Sequence, residues 1–323
     1  MKNIHILNLT KILVSKSIHL VNLGLHHLEI LNSNYSEQEM LPYPPIFIIG
    51  APRSGSTLLY QVLTNYYDVG YLSNLHARFY GSPSIIERFF HPLKSRRSCD
   101  YNSHHGRTEG WLAPSECGEF WYRFFRRKPQ YVPFDEADPN KIRQLRGAVR
   151  SLVDAFGKPI LFKNLNCALR LEPLAKALPE SLFIVINREL LDNSHSLLEG
   201  RKKLYGNYTT WWSMEPPAID KLKTLPPHQQ VMEQIRHIYT LIERDRKIIG
   251  SNRFIDLQYE EFCRDTYCTI NRLDIFFRSH GVSLKKLPQL SIPPNFQRRN
   301  QIRIDRALYS ELTNYTHELE KYR

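Results

Sequence analysis

An α/β architecture, in which a central, mostly parallel sheet carries helices on both faces, follows from three features of the sequence. Short apolar runs recur along the chain. Helical patterns lie between them, and a glycine-bearing turn joins the first run to the first helix. Strands of a parallel sheet read as continuous apolar stretches because both of their faces meet helices, so this alternation favours such a sheet over hairpins.

Taken in order, the first strand is expected at Ile46–Gly50 and its helix at Leu58–Tyr66. Helical periodicity over Asp138–Phe156 precedes a strand at Ile160–Lys163. A short helix at Leu171–Ala177 leads to a strand at Leu182–Arg188. Helices at Ser194–Leu204 and His228–Ile249 then lead to a last strand at Phe254–Tyr259. Residues 1–43 read as an N-terminal helical segment packed on the body, and 44–323 as one domain. Two irregular insertions interrupt that domain. One, about 81–133, is rich in aromatics, His and Arg; the other, about 206–227, holds Trp211, Trp212 and several prolines. Ligands of open α/β sheets sit beyond the carboxyl ends of the strands, where insertions can wall a cleft.

The 323 residues, 42% hydrophobic and 24% charged, suffice for a sizeable core and exclude a disordered chain. No apolar stretch reaches the length that spans a bilayer, and the first residues lack a continuous apolar h-region. Neither a transmembrane helix nor a signal peptide is therefore expected, and the chain is expected in the cytoplasm. Lys2, Lys11 and Lys16 in the mildly basic, amphipathic start also suit peripheral membrane contact. The five cysteines, Cys99, Cys117, Cys167, Cys263 and Cys268, show no metal-ligand spacing. They fit a reducing compartment, with no disulfide framework and no structural metal. A net charge of +12 favours a polyanionic partner. No helix-turn-helix, zinc-finger or RNP pattern accompanies the basic residues, which argues against nucleic acid.

The turn Gly50-Ala-Pro-Arg-Ser-Gly-Ser-Thr57 has the glycine spacing of a phosphate-binding loop, yet Ser56 stands where G-x-x-x-x-G-K-[ST] has lysine. Successive backbone N–H groups at a strand-to-helix turn still form an anion nest, and the helix dipole adds partial positive charge. Without the lysine, and without a strand ending in Asp to hold magnesium, an ATP- or GTP-hydrolysing engine is disfavoured. Farther on, Arg188 ends a strand and Ser196 follows on the next helix, so a guanidinium and a hydroxyl can converge on one anion. The bland alternative pairs Arg188 with Glu189 or Asp192.

Together these patterns resemble the sulfotransferase family that uses 3′-phosphoadenosine 5′-phosphosulfate (PAPS). In that family a PRSGTT-type loop after the first strand holds the 5′-phosphosulfate. A strand-end Arg, with a Ser eight residues on, holds the 3′-phosphate. The matching residues are Pro52-Arg53-Ser54-Gly55-Ser56-Thr57, then Arg188 and Ser196. The stretches "ILFKNLNCALRLEPLAKALPESLFIVINR" and "FIDLQYEEFCRD" extend the likeness over roughly residues 44 to 275. The bacterial PRSG[ST]T branch is the most similar in flavour, beside the tyrosylprotein and saccharide enzymes.

The resemblance implies a three-layer P-loop-like fold and metal-free transfer to an acceptor hydroxyl, leaving adenosine 3′,5′-bisphosphate. It implies that Arg53 and Lys163 stabilise the leaving oxygen, while Ser54, Gly55, Ser56, Thr57 and the helix start at Leu58 hold the 5′-phosphate. A surface ion pair is the plain alternative for Lys163. Tyrosylprotein-type relatives place a glutamate base about twenty residues past the loop, where this chain has "GYLSNLHARF", with Asn74 and no acid. His76 and Glu116 are the leading candidates for the base, with Glu119, His104 and His105 behind them. Arg298 or Arg299 is a candidate for closing over the nucleotide, against an ordinary solvated helix start. Trp211 and Trp212 either stack on an acceptor or pack the second insertion. The acceptor class is a saccharide, a glycolipid or another small metabolite. A P-loop kinase using ATP and a non-catalytic nucleotide-binding relative are the competing functions.

Overall fold

The computed structural model describes residues 16–29, 39–90, 101, 108–288, 292–298 and 301–321. Lys2, Lys11 and Cys99 lie outside them. Five strands form one sheet: β1 (Ile46–Gly50), β2 (Gly70–Tyr71), β3 (Ile160–Lys163), β4 (Leu182–Asn187) and β5 (Phe254–Gln258). Their order is β2-β3-β1-β4-β5, and every pairing is parallel. The register sets Ile48 beside Lys163 and Gly50 beside Ile186, so the carboxyl ends of β1, β3 and β4 finish together.

Thirteen α-helices accompany the sheet among the described residues. The first four are α1 (16–29), α2 (Ser56–Tyr66), α3 (Asn74–Arg78) and α4 (Pro83–Phe90), the last inside the first insertion. Then come α5 (Gly118–Trp121), α6 (Pro139–Phe156), α7 (Leu171–Ala177), α8 (Leu190–Tyr205) and α9 (Ile219–Leu222). The chain ends with α10 (Pro227–Ile249), α11 (Tyr259–Arg264), α12 (Thr266–Ser279) and α13 (Arg306–Lys321).

Alternation along the strands creates the three layers. Phe47, Ile49, Phe162 and Phe183 enter one core, shared with α6, α7 and α10 through Leu152, Leu174 and Ile238. Ile46, Ile48, Leu161 and Ile184 enter the other, shared with α2 and α12 through Val62 and Leu273. Every residue of β1 and β3 is buried, which is why Ile46–Ile49 and Ile160–Phe162 read as unbroken apolar runs. Phe47 stacks between Phe162 at 5.1 Å and Phe183 at 5.7 Å, and truncating such a ring to alanine costs about 3–5 kcal/mol. β2, an edge strand of two residues, offers no run to read. β4 stops one residue before Arg188, and α8 starts four residues before the expected Ser194.

Helix α1 is attached by polar contacts. Asn22 donates to the carbonyl of Arg78 at 3.1 Å and accepts from the Gly81 N–H at 2.7 Å. Glu29 is buried against Arg123, Ser82 and Ser84. At the other end of the chain, α13 packs with α8 and α10 around Leu197, Val231 and Leu312.

Candidate active site

The turn between β1 and α2 takes its shape from two left-handed residues, Arg53 at φ 66° and Gly55 at φ 94°. Gly55 is also packed against Tyr259, and a Cβ there would lie 2.1 Å from that ring. No side chain caps α2, so its first-turn N–H groups face the turn without a protein acceptor from Gly55. Uncapped helix starts of this kind are where anions bind in proteins generally.

The adjacent β4–α8 connection clamps the turn from one side. Asn193 donates to the Pro52 carbonyl at 3.0 Å, and Arg188 Nη1 donates to the Arg53 carbonyl at 3.0 Å. Arg53 Nε in turn donates to Ser196 Oγ at 3.1 Å. The Arg188 guanidinium lies 4.7 Å from the Tyr259 ring centroid. Burial pushes the Tyr259 hydroxyl up to about 12, so the ring stays neutral beneath the cation. Arg188 forms no ion pair among the described residues. The acids that could have taken it hold Arg298 instead, with Asp192 at 2.8 Å and Glu189 at 3.7 Å. Buried polar atoms here that lack a hydrogen-bond partner are Arg188 Nε, Ser54 Oγ, Asn193 Oδ1 and Ser194 Oγ. Buried donors are almost always satisfied, so a guanidinium left with a spare N–H beside an anion nest fits a phosphate oxygen.

From the other side β3 delivers Lys163, which is 3% exposed. Its ammonium donates to Thr57 Oγ1 at 3.1 Å and pairs closely with Glu116. Asn164, the next residue, fixes the Glu116 backbone by donating to its carbonyl at 3.1 Å. Cys117 then turns left-handed at φ 44°, a strained non-glycine conformation of the kind that gathers at functional sites. Arg53, Thr57, Asn74, Glu116, Lys163 and Trp212 line one pocket of about 330 Å³. Burial pushes both Cys117 and Cys167 up to about 12, which removes thiolate chemistry from this region.

The other candidates lie elsewhere. His76 is fully buried; its Nδ1 accepts the Ser73 N–H at 3.0 Å in the capping box of α3, and its Nε2 faces Glu87 at 3.2 Å. Both nitrogens are engaged away from the pocket, so His76 is corrected from base candidate to helix cap. Glu119 is on the surface with Arg127. His104, His105 and Arg299 lie outside the described residues. Trp211 packs on Arg201, whereas Trp212 packs against Gly200, lines the pocket and lies 6.0 Å from Arg53. Sequence reasoning missed Asn193 and Tyr259, which hold the turn and its Arg188. Tyr259 had a signal, since it directly follows β5.

This is an α/β protein whose strand ends gather an uncapped helix start, Arg53, Arg188 and Lys163. The chain belongs to the sulfotransferase family, whose model matches residues 44–277. Over 252 residues it is 22% identical to the omega-hydroxy-beta-dihydromenaquinone-9 sulfotransferase Stf3 of Mycobacterium bovis and of Mycobacterium tuberculosis. That match covers 71% of this chain but 61% of the relatives, so the chain spans about three fifths of their length. Similar solved structures include sulfotransferase STF9 from Mycobacterium avium, with 17% identity, TM-score 0.48, and coverage of 85% of this chain and 68% of that one. Another is the sulfotransferase from Alicyclobacillus acidocaldarius, with 14% identity, TM-score 0.45, and coverage of 86% and 93%.

Proposed function

We propose that the chain transfers a sulfuryl group from PAPS to the hydroxyl of an acceptor held in the pocket. One observation carries the reading: Arg188, bonded to the loop, keeps a buried Nε without a partner beside a nest that lacks the P-loop lysine. Such a site suits a nucleotide with a second phosphate better than a triphosphate. In this reading PAPS supplies the sulfuryl group and a phosphate leaving group. Arg188 and Ser196 hold the 3′-phosphate, and the Ser54–Leu58 turn holds the 5′-phosphate.

Arg53 and Lys163 stabilise charge growing on the bridging oxygen, the task a magnesium ion performs in kinases. The proposal therefore needs no metal. Glu116 accepts the proton of the acceptor hydroxyl, because its carboxylate lines the pocket and is aimed at Lys163. The relatives' name gives them a hydroxylated menaquinone, and Trp212 and Met214 add apolar wall to this pocket. Both favour a lipid-type alcohol over a saccharide as the acceptor.

Incorporation of labelled sulfate from PAPS into a hydroxylated isoprenoid tests the reading. Wild type is expected to label it, and Glu116→Gln to lower kcat by ~10²–10⁴ while nucleotide affinity is kept. Labelled phosphate transfer from ATP, with none from PAPS, would overturn it.

A further inference from the structure

Helix α1 half-buries Ile18 and Leu25 on its inward side yet leaves a second apolar face in solvent. Its buried positions are Asn22 and Glu29, and its half-buried His26 meets Arg123. Its solvent face carries Leu20, Val21, Leu23 and Leu28, with Leu20 68% exposed. At about 100° per residue these four share an arc of about 160°, which also contains Lys16, Ser17, Gly24 and His27. A soluble helix buries such a stripe. Here hydrogen bonds to Arg78, Gly81, Ser82 and Ser84 hold it facing outward. Helix α4, which begins at those serines, ends in Phe89, 74% exposed, and the exposed Phe90.

Charge around this apolar face identifies its occupant. Residues 16–29 and 74–90 contain two acids, Glu29 and Glu87, and both are buried. The exposed charges of these stretches are Lys16, Arg78 and Arg88, all cationic. A second copy docking through the same patch would set cations against cations, because a two-fold interface brings a patch onto itself. Glu119, near Tyr80 at the edge of this face, is ion-paired with Arg127, so an apolar stripe whose own exposed charges are all cationic fits a bilayer with anionic headgroups.

We propose that α1 and the end of α4 form a membrane-docking face that seats the chain on an anionic lipid surface. Ala77 lines the pocket, and the next residue supplies the carbonyl that holds Asn22. Docking there brings the pocket wall to the bilayer, where a lipid-borne acceptor resides. The docking does not depend on the transfer chemistry, so vesicle binding tests it separately from activity.

The experiment is co-sedimentation of the full chain with phosphatidylcholine vesicles and with vesicles in which about a third of the lipid is phosphatidylglycerol. Wild type is expected to partition onto the anionic vesicles and to leave them at high salt. Leu20→Ser/Leu23→Ser/Leu28→Ser is expected to lower that partitioning ~10²-fold with an unchanged melting temperature. Arg88→Glu, which keeps the stripe, is expected to lose the preference for anionic over neutral vesicles. The proposal fails if wild type stays in the supernatant or if the triple variant partitions like wild type. It fails as well if wild type is a dimer that the triple variant dissolves, since a second copy would then cover the face.

Discussion

Arg53 joins two roles in one residue. Its backbone is left-handed, its carbonyl receives Arg188, and its guanidinium reaches Ser196. A non-glycine residue in that conformation costs about 1–2 kcal/mol, so Arg53→Gly is expected to hold or raise the melting temperature while transfer collapses. Loss of both stability and activity would instead make the side chain a structural tie. Much of this site is written in local order: Arg53, Arg188 and Ser196 sit in short motifs, and Lys163 ends a plain strand. Glu116 is different. Its partner Lys163 is 47 residues away, and only the folded insertion brings them together. His76 misleads because it lies two residues from Asn74, where tyrosylprotein-type relatives place the base, while its position three residues after Ser73 makes it a cap.

At the scale of elements, the start of α2 depends on Gly55. An alanine there meets the Tyr259 ring in a backbone conformation L-residues avoid, so Gly55→Ala is expected to cost about 1–3 kcal/mol and displace the anion nest. Calorimetry and nucleotide titration read the two effects. Helix α1 carries a pH dependence. Burial first, and then the neighbouring Arg123, lower His26 from its ordinary 6.5 to about 4. The folded chain therefore keeps the ring neutral while the unfolded chain takes up a proton from about 6.5 downward. Stability from this group is complete above that range and is lost as pH falls from 6.5 toward about 4. His26→Gln is expected to flatten this part of the melting curve against pH; an unchanged slope contradicts it. The long buried strands were legible because both their faces are apolar, whereas β2 and the first turn of α8 lack such a pattern. Inward polar residues at Asn22 and Glu29 show why amphipathicity alone cannot orient α1.

Over the whole molecule, the layered α/β architecture was readable from alternation, but the strand order was not. β1 lies between β3 and β4, which are over a hundred residues away in sequence, and only packing decides that arrangement. That order is what makes a site, since it sets the ends of β1, β3 and β4 side by side and delivers the loop, Lys163 and Arg188 to one locus. A net charge of +12 then draws anionic ligands toward the chain. In the proposed function this locus holds a nucleotide with both a 3′- and a 5′-phosphate. Isothermal titration of adenosine 3′,5′-bisphosphate and AMP against wild type and Arg188→Ala tests it most directly. Wild type is expected to prefer the bisphosphate, and Arg188→Ala to weaken it by roughly 10–10²-fold, the worth of charge-assisted hydrogen bonds, with AMP affinity little changed. Equal affinity of wild type for the two nucleotides, or a bisphosphate affinity that survives the loss of Arg188, would contradict the account.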